Sequence, residues 1–159
     1  MTDLLVKLYD LPDLQPPFSQ FLSPEITIRK PLGSEKSFIV KWASKNFEEG
    51  WGSEVDVAFS RIPLSCYIAQ QGKELIGFAC YDSTALGYFG PTGVLEVYRG
   101  NGVGKELLLA CMYDMKAKGY GYAIIGWAGP IDFYKKFVGA IEIPDSTPGI
   151  YRDLLIGDE

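Results

Sequence analysis

Thr92-Gly93-Val94-Leu95-Glu96-Val97-Tyr98-Arg99-Gly100-Asn101-Gly102-Val103-Gly104-Lys105 is followed at once by an apolar run that repeats at helical spacing. The stretch reads as strand, turn, helix. Gly100, Gly102 and Gly104 remove side chains where the chain enters the helix, so several backbone N–H groups with no intrahelical partner can converge on one anion. A Walker loop would need glycine at Arg99 and Ser or Thr at Glu106, and a dinucleotide fingerprint anchored on Gly100 would need glycine at Lys105. Neither pattern is met. A plain tight turn into a helix would use the same glycines, so the surrounding chain has to decide.

With 159 residues, the chain is long enough for one domain that buries about 70% of its unfolded surface. Its composition, 47% hydrophobic and 14% aromatic, is too apolar for a disordered chain, and no apolar run is long enough to cross a bilayer. A formal charge of −5 and the lack of a Lys/Arg stripe argue against nucleic-acid binding and suit a cationic acceptor such as an amine. Cys66, Cys80 and Cys111 leave one thiol over in any disulfide scheme and do not sit at metal-ligand spacings. No metal is expected. Histidine is absent, which removes Ser-His and Cys-His nucleophile pairs. The first ten residues lack the features of a signal peptide, so the expected location is a reducing cytoplasm.

In chain order, residues 1–25 read as an N-terminal extension, broken by Pro16-Pro17, whose Phe18, Phe21 and Leu22 pack on the body or on a second subunit. A core over 26–155 begins with a strand at Ile26–Arg29. Next comes a helix capped by Ser34, with Phe38, Ile39, Trp42, Ala43 and Phe47 on one face, ending at Gly50. A second helix is capped by Ser53 and stopped by Pro63. Cys66–Ala69 and Leu75–Tyr81 form a hairpin, and Leu86–Val94 extends the sheet with a distortion at Pro91, which cannot donate a ladder hydrogen bond. A helix over 103–118, a strand over 122–127, a helix from Pro130 through Phe137 and a strand over 140–143 follow, and Pro148–Tyr151 reads as an edge. The prediction is one domain over 1–159 with a mixed α/β (α+β) sheet, mostly antiparallel, flanked by about four helices.

Arg99, Gly102 and Gly104 spell Arg-x-x-Gly-x-Gly, and this motif, set between the fourth strand of the core and a Leu-rich helix, resembles the acetyl-CoA loop of the GNAT N-acetyltransferases. The resemblance extends over roughly 26–155. It implies that acetyl-CoA is the cosubstrate, with its pyrophosphate on the amides of Gly100, Asn101, Gly102, Val103 and Gly104 and added charge from Arg99 and Lys105. Its pantetheine arm would run along Thr92, Gly93 and Val94 as an added strand. Glu96 stands where the family often has proline, and Trp127-Ala128-Gly129-Pro130 stands where an Asn is common.

The family's Tyr-x-Lys pattern falls on Tyr134 and Lys136, which implies that Tyr134 is the general acid that returns a proton to the leaving thiolate. Glu49, Glu54 and Asp56 lie around the helix junction where such proteins build the acceptor pocket, and Tyr88 lies near a strand position that carries a catalytic carboxylate in some relatives. Glu54 and Tyr88 are carried forward as candidates for the base side, with water relayed to solvent as the alternative. Trp51, Phe59, Tyr81 and Tyr88 are candidates for the acceptor lining. The implied activity is transfer of an acetyl group to a primary amine of a small molecule, protein or peptide by direct attack. Two other readings stay open: a non-catalytic CoA or acyl-CoA sensor or scaffold, and a nucleotide binder of another fold. A homodimer fits the exposed edge segments.

Overall fold

Every strand of the computed structural model, which describes residues 1–12 and 22–155, belongs to one seven-stranded sheet. The strands are β1 (Leu4–Lys7), β2 (Ile26–Arg29), β3 (Cys66–Gln71), β4 (Glu74–Tyr81), β5 (Tyr88–Val94), β6 (Tyr122–Ile125) and β7 (Ile141–Glu142). They lie in the order β2-β3-β4-β5-β6-β1-β7, and every pairing is antiparallel except β5 with β6. The helices are α1 (Lys36–Asn46), α2 (Glu49–Phe59), α3 (Val103–Ala117) and α4 (Ile131–Val138). This is the α+β architecture expected. No helix among the described residues is long and apolar enough to cross a membrane.

Alternation along β4 divides the core in two. Phe78 and Cys80 meet Ile39, Ala43, Val55 and Ala58 of α1 and α2 on one face, while Ala79 and Tyr81 join Leu107, Leu108, Cys111 and Met115 of α3 on the other. The two helices of the first face come very close at Gly52. A side chain there would begin 1.8 Å from Ser44 Oγ and 2.8 Å from the Val40 carbonyl, so glycine is required for that approach. The approach fixes the direction in which α2 presents Glu54.

The largest correction concerns the first residues. Leu4–Lys7 is no appendage: β1 pairs with β6 from Leu4↔Ile125 to Lys7↔Tyr122 and with β7 at Leu4↔Glu142 and Leu5↔Ile141. Leu4 and Val6 are fully buried against the α3 side. A four-residue strand carries too little periodicity to be told from a tail, and its partners lie more than a hundred residues away. Leu22 is buried, whereas Phe18 and Phe21 lie outside the described residues.

The helix starts also differ from expectation. Ser34 sits in a short 3₁₀ turn, and Glu35 closes that turn by accepting the Leu32 N–H at 2.7 Å while pairing bidentately with Arg29 at 2.7 and 2.8 Å. Arg29 holds the Glu35 carboxyl down to about 2. α1 therefore begins at Lys36 and ends at Asn46, and α2 starts four residues before Ser53, taking Gly50 into its first turn. Phe38, expected on the inner face, is 63% exposed. The Pro148–Tyr151 segment is a 3₁₀ turn over Gly149–Tyr151 and not a sheet edge.

Candidate active site

Opposite Cys80, β5 carries two residues, Gly90 and Pro91, between the pairs Tyr81↔Phe89 and Ala79↔Thr92. This two-against-one bulge is the distortion expected at Pro91. On its other side β5 pairs with β6 only at Tyr88↔Ile124 and Phe89↔Ile125. β6 then stops, while β5 continues through Val94. From Gly90 to Val94 the strand thus has β4 along one edge and, among the described residues, no strand along the other. Thr92, Gly93 and Val94 lie on this open stretch. Gly93 is needed there, since a Cβ would stand 2.6–2.9 Å from three ring atoms of Phe47.

The glycine loop lies at the end of the same stretch. Gly100 and Gly102 both have φ of +83°, a region that side chains disfavour, and a Cβ on either would meet nothing within 4 Å. The first turn of α3 is closed by the Glu106 N–H on the Gly102 carbonyl at 3.0 Å, leaving the amides of Val103, Gly104 and Lys105 ahead of the first intrahelical bond. The loop therefore has donors, open space above them and the positive end of a 15-residue helix. Gly104 is less demanding, since a Cβ there would lie 3.8 and 3.9 Å from atoms of Val94 and Phe133, which is ordinary contact. Arg99 turns back to donate from Nε to the Val94 carbonyl at 2.9 Å, tying the loop to the strand end. Lys105 rests its ammonium 4.9 Å from the Phe137 ring centre. Asn101 donates to the Tyr98 carbonyl.

Tyr134 stands on α4 with its ring edge-on to Phe89 and Phe133 at 6.3 and 5.2 Å. It is 5% exposed, and burial pushes its phenol up to about 12. Its hydroxyl has no hydrogen-bond partner among the described residues. Tyr88 lies on the opposite face of β5, the α2 side, where Glu54 accepts a short hydrogen bond from the Thr84 hydroxyl. Burial raises the Glu54 carboxyl above its usual range and Glu48 adds to this, against the Thr84 bond, which lowers it. Tyr88 and Phe89 are consecutive, so the Glu54 side and the Tyr134 side flank one point of the strand, at the mouth of the β5–β6 split.

Other candidates are not brought there. Tyr81 is fully buried and donates to Asp114, and Trp51 stacks on Phe47 within the α1–α2 core. Phe59 packs against that same core. Asp56 pairs with Lys36 at the surface. In their place the structure brings in Asp3, Thr84, Trp127 and Tyr151. Tyr151 stacks on Trp127 with ring centres 4.4 Å apart, and its hydroxyl would lie 2.1 Å from a Cβ on Gly126, with the Tyr88 ring 3.1 Å from the same point. The one sequence signal for this cluster is Trp127-Ala128-Gly129-Pro130 standing where an Asn is common. Cys66, Cys80 and Cys111 are buried free thiols, and no group of three His, Cys, Asp or Glu side chains among the described residues could hold a metal ion.

The sequence profile described as the acetyltransferase (GNAT) family matches residues 36–140. Among solved structures, similarity extends to a GCN5-related glucosamine N-acetyltransferase region of a fungal multi-domain GH3 β-N-acetylglucosaminidase, with TM-score 0.70, 19% identity, and 89% of this chain and 19% of that chain covered. A GCN5-related N-acetyltransferase from Sphaerobacter thermophilus gives TM-score 0.66 at 18% identity over 89% of this chain and 48% of that one. A GNAT family acetyltransferase from Brucella melitensis, solved in complex with acetyl-CoA, gives 0.55 at 17% identity over 70% and 80%. The chain thus spans about a fifth and about half of the first two proteins it resembles. A search among curated protein sequences found no significant match.

Proposed function

The chain belongs to the GNAT acetyltransferase family, and from that premise we propose that it is an N-acetyltransferase that uses acetyl-CoA to acetylate a primary amine by direct attack. The observation that carries this reading is the open edge of β5 from Gly90 to Val94, which runs straight into the glycine loop. A long cosubstrate would use both: Thr92, Gly93 and Val94 offer backbone for strand addition, and the amides of residues 100–104 receive the pyrophosphate. The space above Gly100 and Gly102 fits such an occupant. Arg99, spent on the Val94 carbonyl, supports the loop's shape as well as its charge.

In the reaction the amine nitrogen bonds to the acetyl carbon, the carbon–sulfur bond breaks, and CoA leaves as a thiol. The amine's proton goes to a base and the sulfur gains one from an acid. A phenol raised to about 12 keeps its proton at neutral pH, so Tyr134 meets the developing thiolate as a donor. Glu54, raised by burial, is the stronger base for it, and water relayed to solvent past Tyr88 is the alternative route. We also place the protein in a reducing cytoplasm, in keeping with its free thiols, and as a homodimer.

Calorimetric titration with acetyl-CoA tests the donor half, and absence of binding at sub-millimolar concentration sinks the reading. An amine panel followed by free-thiol release tests the rest. Turnover that falls about 10²- to 10⁴-fold in Tyr134→Phe, with acetyl-CoA affinity kept, identifies the acid. Binding with no turnover of any amine establishes the alternative, a CoA-holding sensor or scaffold.

A further inference from the structure

We propose that the Trp127–Tyr151 stack is the recognition wall of the acceptor site and that it selects an alkylammonium with no carboxylate beside it. The word acceptor rests on the acyltransfer reading above; the choice of ligand rests on the geometry of these residues.

Trp127 follows directly on the end of β6 and Gly126, at the mouth of the split. Its φ is +47°, a region that a bulky side chain rarely enters and holds only when its surroundings impose it. Here they do. The Trp127 N–H is taken by Asp3 Oδ1 at 3.0 Å, and the next N–H, of Ala128, by the Thr2 carbonyl at 3.0 Å. Asp3 is only 4% exposed and is itself fixed, its N–H donating to Ser146 Oγ at 2.9 Å while that hydroxyl donates to the Ile143 carbonyl at 2.7 Å. The indole so placed is 37% exposed and lies at 20° to the Tyr151 ring.

The strained backbone thus serves to hold an aromatic surface in partial contact with solvent beside the reacting strand. Tyr151 is seated by Gly126, whose missing side chain leaves room for the hydroxyl, and Tyr88 closes in from β5. Three rings therefore converge. The charge around them is negative: Asp3 and Glu54 both act on the Tyr151 hydroxyl, and neither carboxylate is in an ion pair among the described residues. Aromatic faces backed by unneutralised carboxylates attract a cation and repel an anion. An amine carried on an alkyl stem satisfies both features, and a free amino acid brings a carboxylate that they disfavour.

The test uses the indole N–H resonances of the full ¹⁵N-labelled chain, which has three tryptophans. The Trp127 resonance is the one lost in Trp127→Leu. Titration with n-butylammonium chloride should shift it saturably, leave Trp42 and Trp51 in place, and give an affinity about 2- to 30-fold tighter than the neutral n-pentanol or the zwitterion glycine. An unmoved Trp127 resonance, or equal response to all three probes, overturns the proposal. Asp3→Asn keeps an acceptor for the Trp127 N–H but removes one carboxylate charge, so the Trp127 shift should remain while the preference for butylammonium over pentanol falls, whereas Asp3→Ala should lose the shift as well; if the alanine variant does not fold, the asparagine variant and the three-probe comparison on the native chain decide. These titrations need no acetyl-CoA. A failed acetyl-CoA titration with a selective Trp127 shift removes the acyltransfer reading only, and the reverse pattern removes only the recognition wall.

Discussion

Replacing Gly102 by alanine and by glutamate separates the two things this residue is held to do. Gly102 caps α3 with φ of +83°, and a Cβ there meets no atom within 4 Å. Neither replacement clashes, so both carry the same penalty, that of a side chain in the left-handed region, about 1 to 2 kcal/mol. For a chain of this length that corresponds to a fall in Tm of about 2 to 8 °C, equal in the two variants. Their effects on the cosubstrate should differ. A glutamate carboxylate free to extend over the loop comes within about 6 Å of a bound phosphate, where repulsion is about 0.7 to 3 kcal/mol per phosphate charge, or roughly 3- to 100-fold in affinity. Calorimetric titration with CoA should therefore give a markedly larger loss of affinity for Gly102→Glu than for Gly102→Ala, and the difference should shrink as salt is raised. Equal CoA affinity in the two variants would refute the loop as the phosphate site.

Three further outcomes follow from the geometry. Gly93→Ala drives a methyl group into the Phe47 ring, which is itself hemmed in by Trp42, Trp51 and Phe78, so urea denaturation should show a loss of about 1 to 3 kcal/mol; an unchanged midpoint would mean the ring moves freely. Leu4→Ala should destabilise by about 2 to 5 kcal/mol in the same assay, since Leu4 is fully buried in β1, whereas a residue on a dispensable tail would cost nothing measurable. The Tyr134 phenol ionises near 10 in the unfolded chain and at about 12 when folded, so its contribution is intact below pH 10 and is lost as pH rises toward 12. Between pH 9 and pH 11 the native protein should therefore lose about 1.4 kcal/mol that Tyr134→Phe does not, read as a change in the gap between their melting temperatures.

The parts of the molecule legible in the sequence are those built from neighbours in the chain. Gly100 and Gly102 announce a left-handed turn before a helix because the chemistry is local, and Pro91 announces a bulge for the same reason. Tyr134 is legible only through a resemblance. What cannot be read depends on residues far apart. Asp3 gains its meaning from Trp127, 124 positions later, and Tyr151 from the gap left by Gly126. Tyr81 misleads because an aromatic residue in an apolar strand looks the same whether it faces a site or a carboxylate on α3; only the fold shows its hydroxyl on Asp114. Ser34 loses its role to Glu35, whose carboxylate accepts both the Leu32 amide and the guanidinium of Arg29 on β2, a pairing that no local pattern announces.

The position of β1 between β6 and β7 has a consequence for how the chain is made. Leu4 must wait for Ile125, 121 positions further on, before its strand has a partner. At about 5 to 20 residues per second, synthesis leaves that apolar strand unpaired for roughly 6 to 24 s, far longer than a hairpin such as β3–β4 needs to close. The ribosome thus delivers a nearly complete α/β layer whose sheet stays open at one slot. The strand made before every other strand of this sheet is among the last to be locked, which makes that slot a point where chaperones, fusion partners or a neighbouring nascent chain compete for the sheet.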